Sequence, residues 1–168
     1  IVALDNSVTY TPNADFNGSG SFTYTISDGN GGSDTATVDV TITAVNDAPV
    51  ALDDTATVAE DASVNITNLK ANDSDIDLDT LTITSVGAAL NGSVVIVALD
   101  NSVTYTPNAD FNGANSFTYT ISDGNGGSDT ATVNVTITAV NDAPVAANDS
   151  AMTSEDIAVD INVLNNDT

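Results

Sequence analysis

The sequence predicts an all-β protein made of tandem Greek-key β-sandwich domains with about seven strands each. The first observation is a period of two, since "TATVNVTITAV" at 130–140 places Ala, Val and Ile on one face and Thr or Asn on the other. The second is a set of turn signals, such as "PNADFNGAN" and "DGNGG", between the apolar runs. The third is an internal repeat of 95 residues, the length of one small domain.

The repeat sets the domain boundaries that we expect. "IVALDNSVTYTPNADFNG" begins at Ile1 and again at Ile96, and only three positions differ between 1–50 and 96–145. The first residues look like the middle of a strand pair, so we expect a window of a longer protein. The predicted units are the C-terminal part of one domain at 1–47, a complete domain at 48–142 and the N-terminal part of the next at 143–168.

The predicted strands at 116–122 and 128–139 alternate apolar with polar residues, and many of the polar ones are Thr. This composition is typical of antiparallel sheets with one buried and one solvated face. Few aromatic residues are present, so the predicted core is thin and consists of Val, Ile, Leu, Phe and Tyr. The seven strands are expected near 50–58, 63–69, 80–86, 93–99, 102–106, 116–122 and 128–139.

Composition and charge exclude several classes of protein. The net charge of -23, with Lys70 as the only basic residue, would repel nucleic acid and anionic membranes. No apolar run approaches the ~20 residues of a membrane-spanning helix. Cys and His are absent, which removes disulfides, thiolate metal sites and most nucleophile–base pairs. We therefore expect no enzyme, no nucleic-acid partner and no membrane insertion.

The acidic residues are almost all aspartate, 22 Asp against two Glu. A merely acidic, halophilic surface would use both types, whereas short carboxylates are favoured in turns and as calcium ligands. The segment "NDSDIDLD" at 72–79 places four aspartates on alternate residues, where like charges repel. An EF-hand starting at Asp73 is excluded, because Leu78 and Thr84 stand where that loop needs Gly and Glu. We predict that bound Ca²⁺ offsets the repulsion.

Strand direction predicts where the acidic loops lie. Loops after the second, fourth and sixth strands lie at the leading end of a domain, where its first strand starts, and the other loops lie at the trailing end. Carboxylates of two neighbouring domains therefore meet at each linker, at 46–49 and 141–144. We call these regions the first seam (Asp15, Asn46, Asp47, Asp73, Asp75, Asp77, Asp79 and Asp123) and the second seam (Glu60, Asp61, Asp110, Asn141, Asp142 and Asp167).

The segment "ISDGNGGSDTATVNVTITAVNDAPV" resembles the closing strands and linker of cadherin domains. More closely, the whole unit resembles the bacterial cadherin-like tandem repeats of large secreted RTX-type and biofilm adhesins. The resemblance implies a cadherin- or immunoglobulin-like sandwich array, stiffened by calcium, on the cell surface. Ala44 and Ala139 replace a linker aspartate of cadherins, so we expect only one or two ions per seam. By position, the resemblance assigns ligand roles to Asp15, Asp28, Glu60, Asp73, Asp75, Asp77, Asp110, Asp123 and Glu155, and Asp156 follows Glu155 as Asp61 follows Glu60.

Three functions remain open from the sequence. The first is an extracellular extender of a bacterial adhesin, in which each repeat contacts its neighbours through calcium. The second is a subunit of an extracellular filament, in which residues 143–168 of one chain complete residues 1–47 of another by strand complementation. The third is a carbohydrate-binding module, which the absence of Trp and the inward alternation of Tyr and Phe disfavour.

Overall fold

The computed structural model describes residues 7–168, and residues 1–6 of the first predicted unit lie outside this range. Within residues 7–168, nearly all of the regular structure is extended, as the period-two pattern predicts, apart from one 3₁₀ turn at Leu69–Ala71. The strands in the described residues are β1 Gly18–Ser27, β2 Ser33–Ile42, β3 Asp54–Ala59, β4 Val64–Ile66, β5 Thr82–Val86, β6 Gly92–Val97, β7 Ser102–Pro107, β8 Gly113–Ser122 and β9 Ser128–Thr138.

Strands β3 to β9 form two sheets, with the strand orders β3-β9-β8-β5 and β4-β7-β6. All seven strands predicted for 48–142 are present, and the all-β sandwich class is confirmed. One pairing differs from the antiparallel expectation, because β3 pairs with β9 in parallel, with Val58 opposite Ile137. Both strands run from the leading to the trailing end, which makes this pair parallel. The proposed boundaries of the three units stay a prediction.

The core of the sandwich is formed by alternate residues of the central strands. On β8, Phe117, Tyr119 and Ile121 are at most 2% exposed, while the intervening Thr118 is exposed. Tyr105 stacks on Phe117 with 6.0 Å between ring centroids. The other buried apolar residues are Val58, Ile66, Leu69, Ile83, Ala89, Val103, Ala131, Val133, Val135 and Ile137.

Strands β1 and β2 repeat the sequence of β8 and β9 and pair in the same way, in a two-stranded sheet of their own. Tyr24 and Ile26 of β1 are 44% and 61% exposed, whereas their counterparts Tyr119 and Ile121 are fully buried. The difference is explained by packing partners, because β3 and β5 flank β9 and β8 and the sheet β4-β7-β6 packs against them, whereas β1 and β2 pair only with each other in the described residues.

Charge is segregated in the sandwich. The outward residues of the central strands β8 and β9 are Ser, Thr and Asn, while most acidic residues lie in the loops at the two ends. Carboxylates are therefore concentrated where neighbouring units would meet.

Candidate metal centres

The first seam contains a compact group of three carboxylates. One oxygen each of Asp75, Asp79 and Asp123 lies within 4.8 Å of the others. Asp123 directly follows β8 and is only 5% exposed, while Asp75 and Asp79 are half-buried in the loop after the 3₁₀ turn. The loops that follow β8 and β4, the sixth and second strands of the sandwich, therefore meet at the leading end, as strand direction predicts.

The turn at 123–127 fixes the Asp123 carboxylate. Its Oδ1 accepts hydrogen bonds from the backbone N–H groups of Asn125 at 2.8 Å, Gly126 at 3.1 Å and Gly127 at 2.9 Å. Its Oδ2 accepts from the Asn46 side-chain amide at 2.7 Å. These bonds, with that of Asn46 the largest cause, lower the pKa of Asp123 below its ordinary value and keep the group ionised.

Gly127 permits this close approach of linker and turn. A Cβ at this position would overlap Asp123 Oδ2 and lie 2.8 Å from the Ala48 Cα. A larger residue would therefore separate the linker from the carboxylate.

The two carboxylate oxygens of Asp75 in the first seam have different surroundings. Its Oδ1 accepts hydrogen bonds from the N–H groups of Asp77 at 2.9 Å and Asp79 at 3.3 Å, which curls the loop around the carboxylate. Its Oδ2 is buried and has no hydrogen-bond partner among the described residues. A buried carboxylate oxygen without a donor is costly, so this atom is suited to a positively charged ligand. The side chain of Asp79 is held by the Asn125 amide at 2.8 Å.

The linker approaches the same loop. The Asp47 N–H donates to Asp77 Oδ2 at 2.8 Å. A cleft of about 250 Å³ is lined in part by Asp15, Asp47 and Asp77, and a second of about 400 Å³ by Asp15, Asp47 and Asp75. The structure thus places Asp15, from the preceding unit, beside the loop aspartates.

Two residues expected to be ligands have other partners. Asp73 faces the interior, where its Oδ1 accepts from the Leu52 N–H at 2.9 Å and from the Tyr119 hydroxyl at 3.0 Å. Asp28 closes its own turn by accepting from the N–H groups of Asn30 and Gly32 at 2.8 and 2.9 Å. The structure therefore gives both residues a local structural role.

The second seam contains a more exposed group. Carboxylate oxygens of Asp61, Asp110 and Asp142 lie within 4.8 Å of one another, and all three residues are exposed. Asp61 and Asp110 occupy left-handed turns, with φ of 63° and 57°, and the Asp110 N–H donates to Asp61 Oδ1 at 3.2 Å. Desolvation, then repulsion from Asp110, Asp61 and Glu60, raises the pKa of Asp142. The like charges are thus uncompensated in the protein alone.

Glu60 anchors the second linker. Its Oε1 accepts from the Val140 N–H at 2.6 Å and its Oε2 from the Asn112 amide at 3.0 Å, and the residue is only 4% exposed. These bonds, that of Val140 first, lower its pKa. The Asn141 amide donates to the Asp142 carbonyl at 3.0 Å. Glu60 therefore holds the chain that carries Asp142.

The remaining predicted ligands lie in the last segment. Asp167 Oδ1 accepts from the Ala147 N–H at 2.8 Å, as Asp73 accepts from Leu52, so Asp167 is the counterpart of Asp73. This differs from the expectation that Asp167 faces the second seam. Glu155 and Asp156 are exposed, and Asp156 repeats the left-handed φ of Asp61 at 62°.

The sequence did not indicate the roles of Asn112, Asn125 and Tyr119. These side chains donate to Glu60, Asp79 and Asp73, respectively. Asn125 lies in the "DGNGG" segment, which is predicted only as a hairpin turn, and Tyr119 belongs to the apolar face of its strand.

The family model described as Bacterial Ig domain matches residues 1–41 and 46–136. Together with the sandwich fold, this match shows that the chain belongs to the bacterial Ig domain family. Domains of this family are often found in extracellular or surface proteins. Within residues 7–168, none of the helical structure is long and apolar enough to span a membrane.

A search of the curated proteins found no match. Among solved structures, an endo-fucoidan hydrolase of glycoside hydrolase family 107 is 26% identical, over 77% of this chain and 20% of that chain, with a TM-score of 0.38. A second endo-fucoidan hydrolase of that family is 20% identical, over 75% of this chain and 23% of that chain, with a TM-score of 0.37. The titin domains z1z2 in complex with telethonin are 11% identical, over 73% of this chain and 62% of that chain, with a TM-score of 0.29.

The hydrolase matches correct one expectation. The absence of His and Cys led us to expect that the chain is not an enzyme, yet the similar solved chains are enzymes. The chain spans about one fifth of the length of those hydrolases, and at these TM-scores the similarity assigns no activity to it.

Proposed function

We propose that these domains form a calcium-stiffened extender of a bacterial surface adhesin. The family and its frequent extracellular occurrence support the general class, a surface extender domain. Calcium, adhesion and a role in biofilms are our inference from the seams. The single observation that carries the calcium proposal is the buried, unpartnered Asp75 Oδ2 beside Asp79 and Asp123.

The donor set at the first seam fits calcium. Asp75, Asp79 and Asp123 would hold the ion, and the nearby Asp15 and Asp77 could complete its shell. All of these ligands are hard oxygens, which suit Ca²⁺ and not the softer transition metals. A bound ion would supply positive charge between two like-charged surfaces. It would thereby fix the linker relative to the following sandwich.

The mechanical consequence follows from the charge. A chain with a net charge of -23 repels itself, so unliganded units connected by short linkers would adopt a wide range of angles. Asn46 and Asp47 already attach the linker to Asp123 and Asp77. Calcium would restrict the remaining motion between the units and convert a flexible array of domains into an extended stalk.

Calorimetric titration of the intact chain with CaCl₂ tests this proposal. We expect saturable binding that Asp75→Asn weakens. Asp39→Asn is a matched control, because Asp39 is exposed on β2 and its counterpart in the second repeat is already Asn134. Absence of calcium binding by the wild-type chain, or equal weakening by both variants, would refute the proposed site.

Self-association is a second candidate, favoured by the exposed apolar residues of the outer segments. Ile161 and Leu164 are 50% and 74% exposed, whereas their counterparts Ile66 and Leu69 are 6% and 1% exposed in the sandwich. Tyr24 of β1 is similarly uncovered. Sedimentation velocity over a range of concentrations tests this candidate. A mass equal to one chain at every concentration would reject it.

A further inference from the structure

Tyr119 lies at the centre of an unusual group of acceptors. Its side chain is fully buried in the middle of β8. Its hydroxyl oxygen lies 2.9 Å from Asp54 Oδ2, 3.0 and 3.1 Å from the two Asp73 carboxylate oxygens, and 3.1 Å from the carbonyls of Leu52 and Leu69. A phenol has a single O–H donor, so one proton serves two carboxylates and two carbonyls.

A short path joins this hydroxyl to the first seam. Asp73, which the hydroxyl contacts, also accepts from the Leu52 N–H at 2.9 Å. The next residue, Ser74, exchanges two backbone hydrogen bonds with Val50, at 2.8 and 3.0 Å. Asp73 and Ser74, at the start of the 73–79 loop, are therefore fixed to β8 and to the chain before β3. The candidate ligand Asp75 is the next residue.

The same parts recur in the other units of the chain. Tyr24 is the counterpart of Tyr119, Asp149 that of Asp54, and Asp167 that of Asp73. Val145 and Thr168 exchange backbone hydrogen bonds at 2.7 and 3.0 Å, as Val50 and Ser74 do. The residues of the arrangement thus recur in the repeat, and the backbone bonds that fix the start of the loop recur in the last segment.

We propose that Tyr119 is a positioning residue that sets the calcium affinity of the first seam by holding Asp73 and hence the 73–79 loop. This inference rests on the proposed calcium function. Without the hydroxyl, Asp54 and Asp73 lose their shared donor and repel each other across the cavity that remains. The loop then gains freedom, which calcium must remove again on binding.

The test compares Tyr119→Phe with Tyr105→Phe. Tyr105 is equally buried. Its hydroxyl donates to the Asn91 carbonyl at 3.1 Å and accepts from the Asn115 amide at 2.9 Å, away from the 73–79 loop. Both variants are made in an Asp142→Asn background, so that a calcium titration reports the first seam. We expect Tyr119→Phe to weaken calcium binding by about tenfold, the lower end of the effect of losing an outer-shell partner, because Tyr119 acts through Asp73 and not on a ligand directly. We expect Tyr105→Phe to leave the affinity unchanged.

Two further measurements separate positioning from general destabilisation. Amide hydrogen exchange of residues 75–79 without calcium should be faster in Tyr119→Phe and unchanged in Tyr105→Phe. Asp54→Asn keeps the tyrosine and removes its competing carboxylate, so it should preserve or tighten calcium binding even if Tyr119→Phe fails to fold. Unchanged affinity in Tyr119→Phe, equal losses in both tyrosine variants, or weaker binding by Asp54→Asn overturns this inference alone. Absence of calcium binding by the wild type overturns the proposed function as well.

Discussion

The side-chain amide of Asn46 donates to Oδ2 of Asp123 at 2.7 Å, across 77 residues of the chain. The bond connects the linker after β2 to the turn after β8. It requires no metal, and it is the largest cause of the lowered pKa of Asp123. The linker is thus attached to the following sandwich before any ion binds, and the cation would strengthen a contact that already exists.

Replacing Asn46 with Ala should therefore widen the range of angles between the units. The substitution removes a hydrogen bond to a charged group, and such bonds contribute about 1.5–3 kcal/mol when buried and less when partly exposed. Small-angle X-ray scattering in chelator should show a broader distance distribution. Asn141→Ala is the control, because within residues 7–168 that amide donates to the adjacent Asp142 carbonyl and not to another unit. Equal scattering from both variants would contradict the prediction.

Removal of calcium should lower the thermal stability of the chain. Ligand present at 100 times its Kd adds about 2.7 kcal/mol, and each kcal/mol shifts the midpoint of a small domain by about 4–8 °C. We therefore expect the midpoint of thermal unfolding to fall by about ten degrees or more when EDTA replaces calcium. Differential scanning calorimetry gives the midpoint, and excess magnesium in place of calcium is the control. An unchanged midpoint would count against bound calcium.

Asp142→Asn should change the stability in opposite directions with and without calcium. The pKa of Asp142 is raised by desolvation and by its acidic neighbours, so the folded state loses stability as pH rises through that pKa. In chelator at neutral pH, the neutral Asn should therefore stabilise the fold. In calcium it replaces a charged ligand with a neutral amide oxygen and should destabilise the fold. Urea unfolding under both conditions measures the sign, and a shift in the same direction would refute a cation at the second seam.

Much of the fold could be predicted from local pattern. The alternation in "TATVNVTITAV" placed Val133, Val135 and Ile137 inside, and all three are buried. Strand direction then predicted which loops share an end, and Asp75, Asp79 and Asp123 do meet there. Both inferences depend only on the period of a strand and on the alternating direction of successive strands. Neither requires knowledge of packing.

The orientation of individual carboxylates could not be predicted in this way. Asp73 and Asp75 alternate in one loop, yet Asp73 contacts Tyr119 in the interior while Asp75 joins the seam. Alternation fixes which residues share a side only while the chain is extended, and this loop is curled around Asp75. Asp167 differs from its expectation in the same way as Asp73, because its carboxylate accepts from the Ala147 N–H as that of Asp73 accepts from the Leu52 N–H.

Acid should weaken the attachment of the chain before β3 to the start of β9. Asp129 accepts from the Ala51 N–H at 2.9 Å and from the Thr130 N–H at 2.8 Å, and these bonds, Ala51 first, lower its pKa. A lowered folded-state pKa contributes stability above the unfolded value, and this contribution is lost as pH falls through the folded value. Asp129→Asn should therefore lower stability at neutral pH and reduce its loss on acidification below about pH 4. Urea unfolding from pH 3 to 7 measures both, and parallel pH profiles would contradict the prediction.

The equivalent phenylalanines of the two repeats should differ in their contribution to stability. Phe117 is 2% exposed and stacks on Tyr105 at 6.0 Å within the full sandwich. Its counterpart Phe22 stacks on Tyr10 at 6.1 Å, but it is only half-buried and Tyr10 is 37% exposed. Phe117→Ala should cost about 3–5 kcal/mol, because it leaves a cavity that surrounding strands cannot close. Phe22→Ala should shift the main unfolding transition much less, since solvent already reaches that ring. Chemical denaturation followed by circular dichroism compares them, and equal shifts would show that both repeats are packed alike.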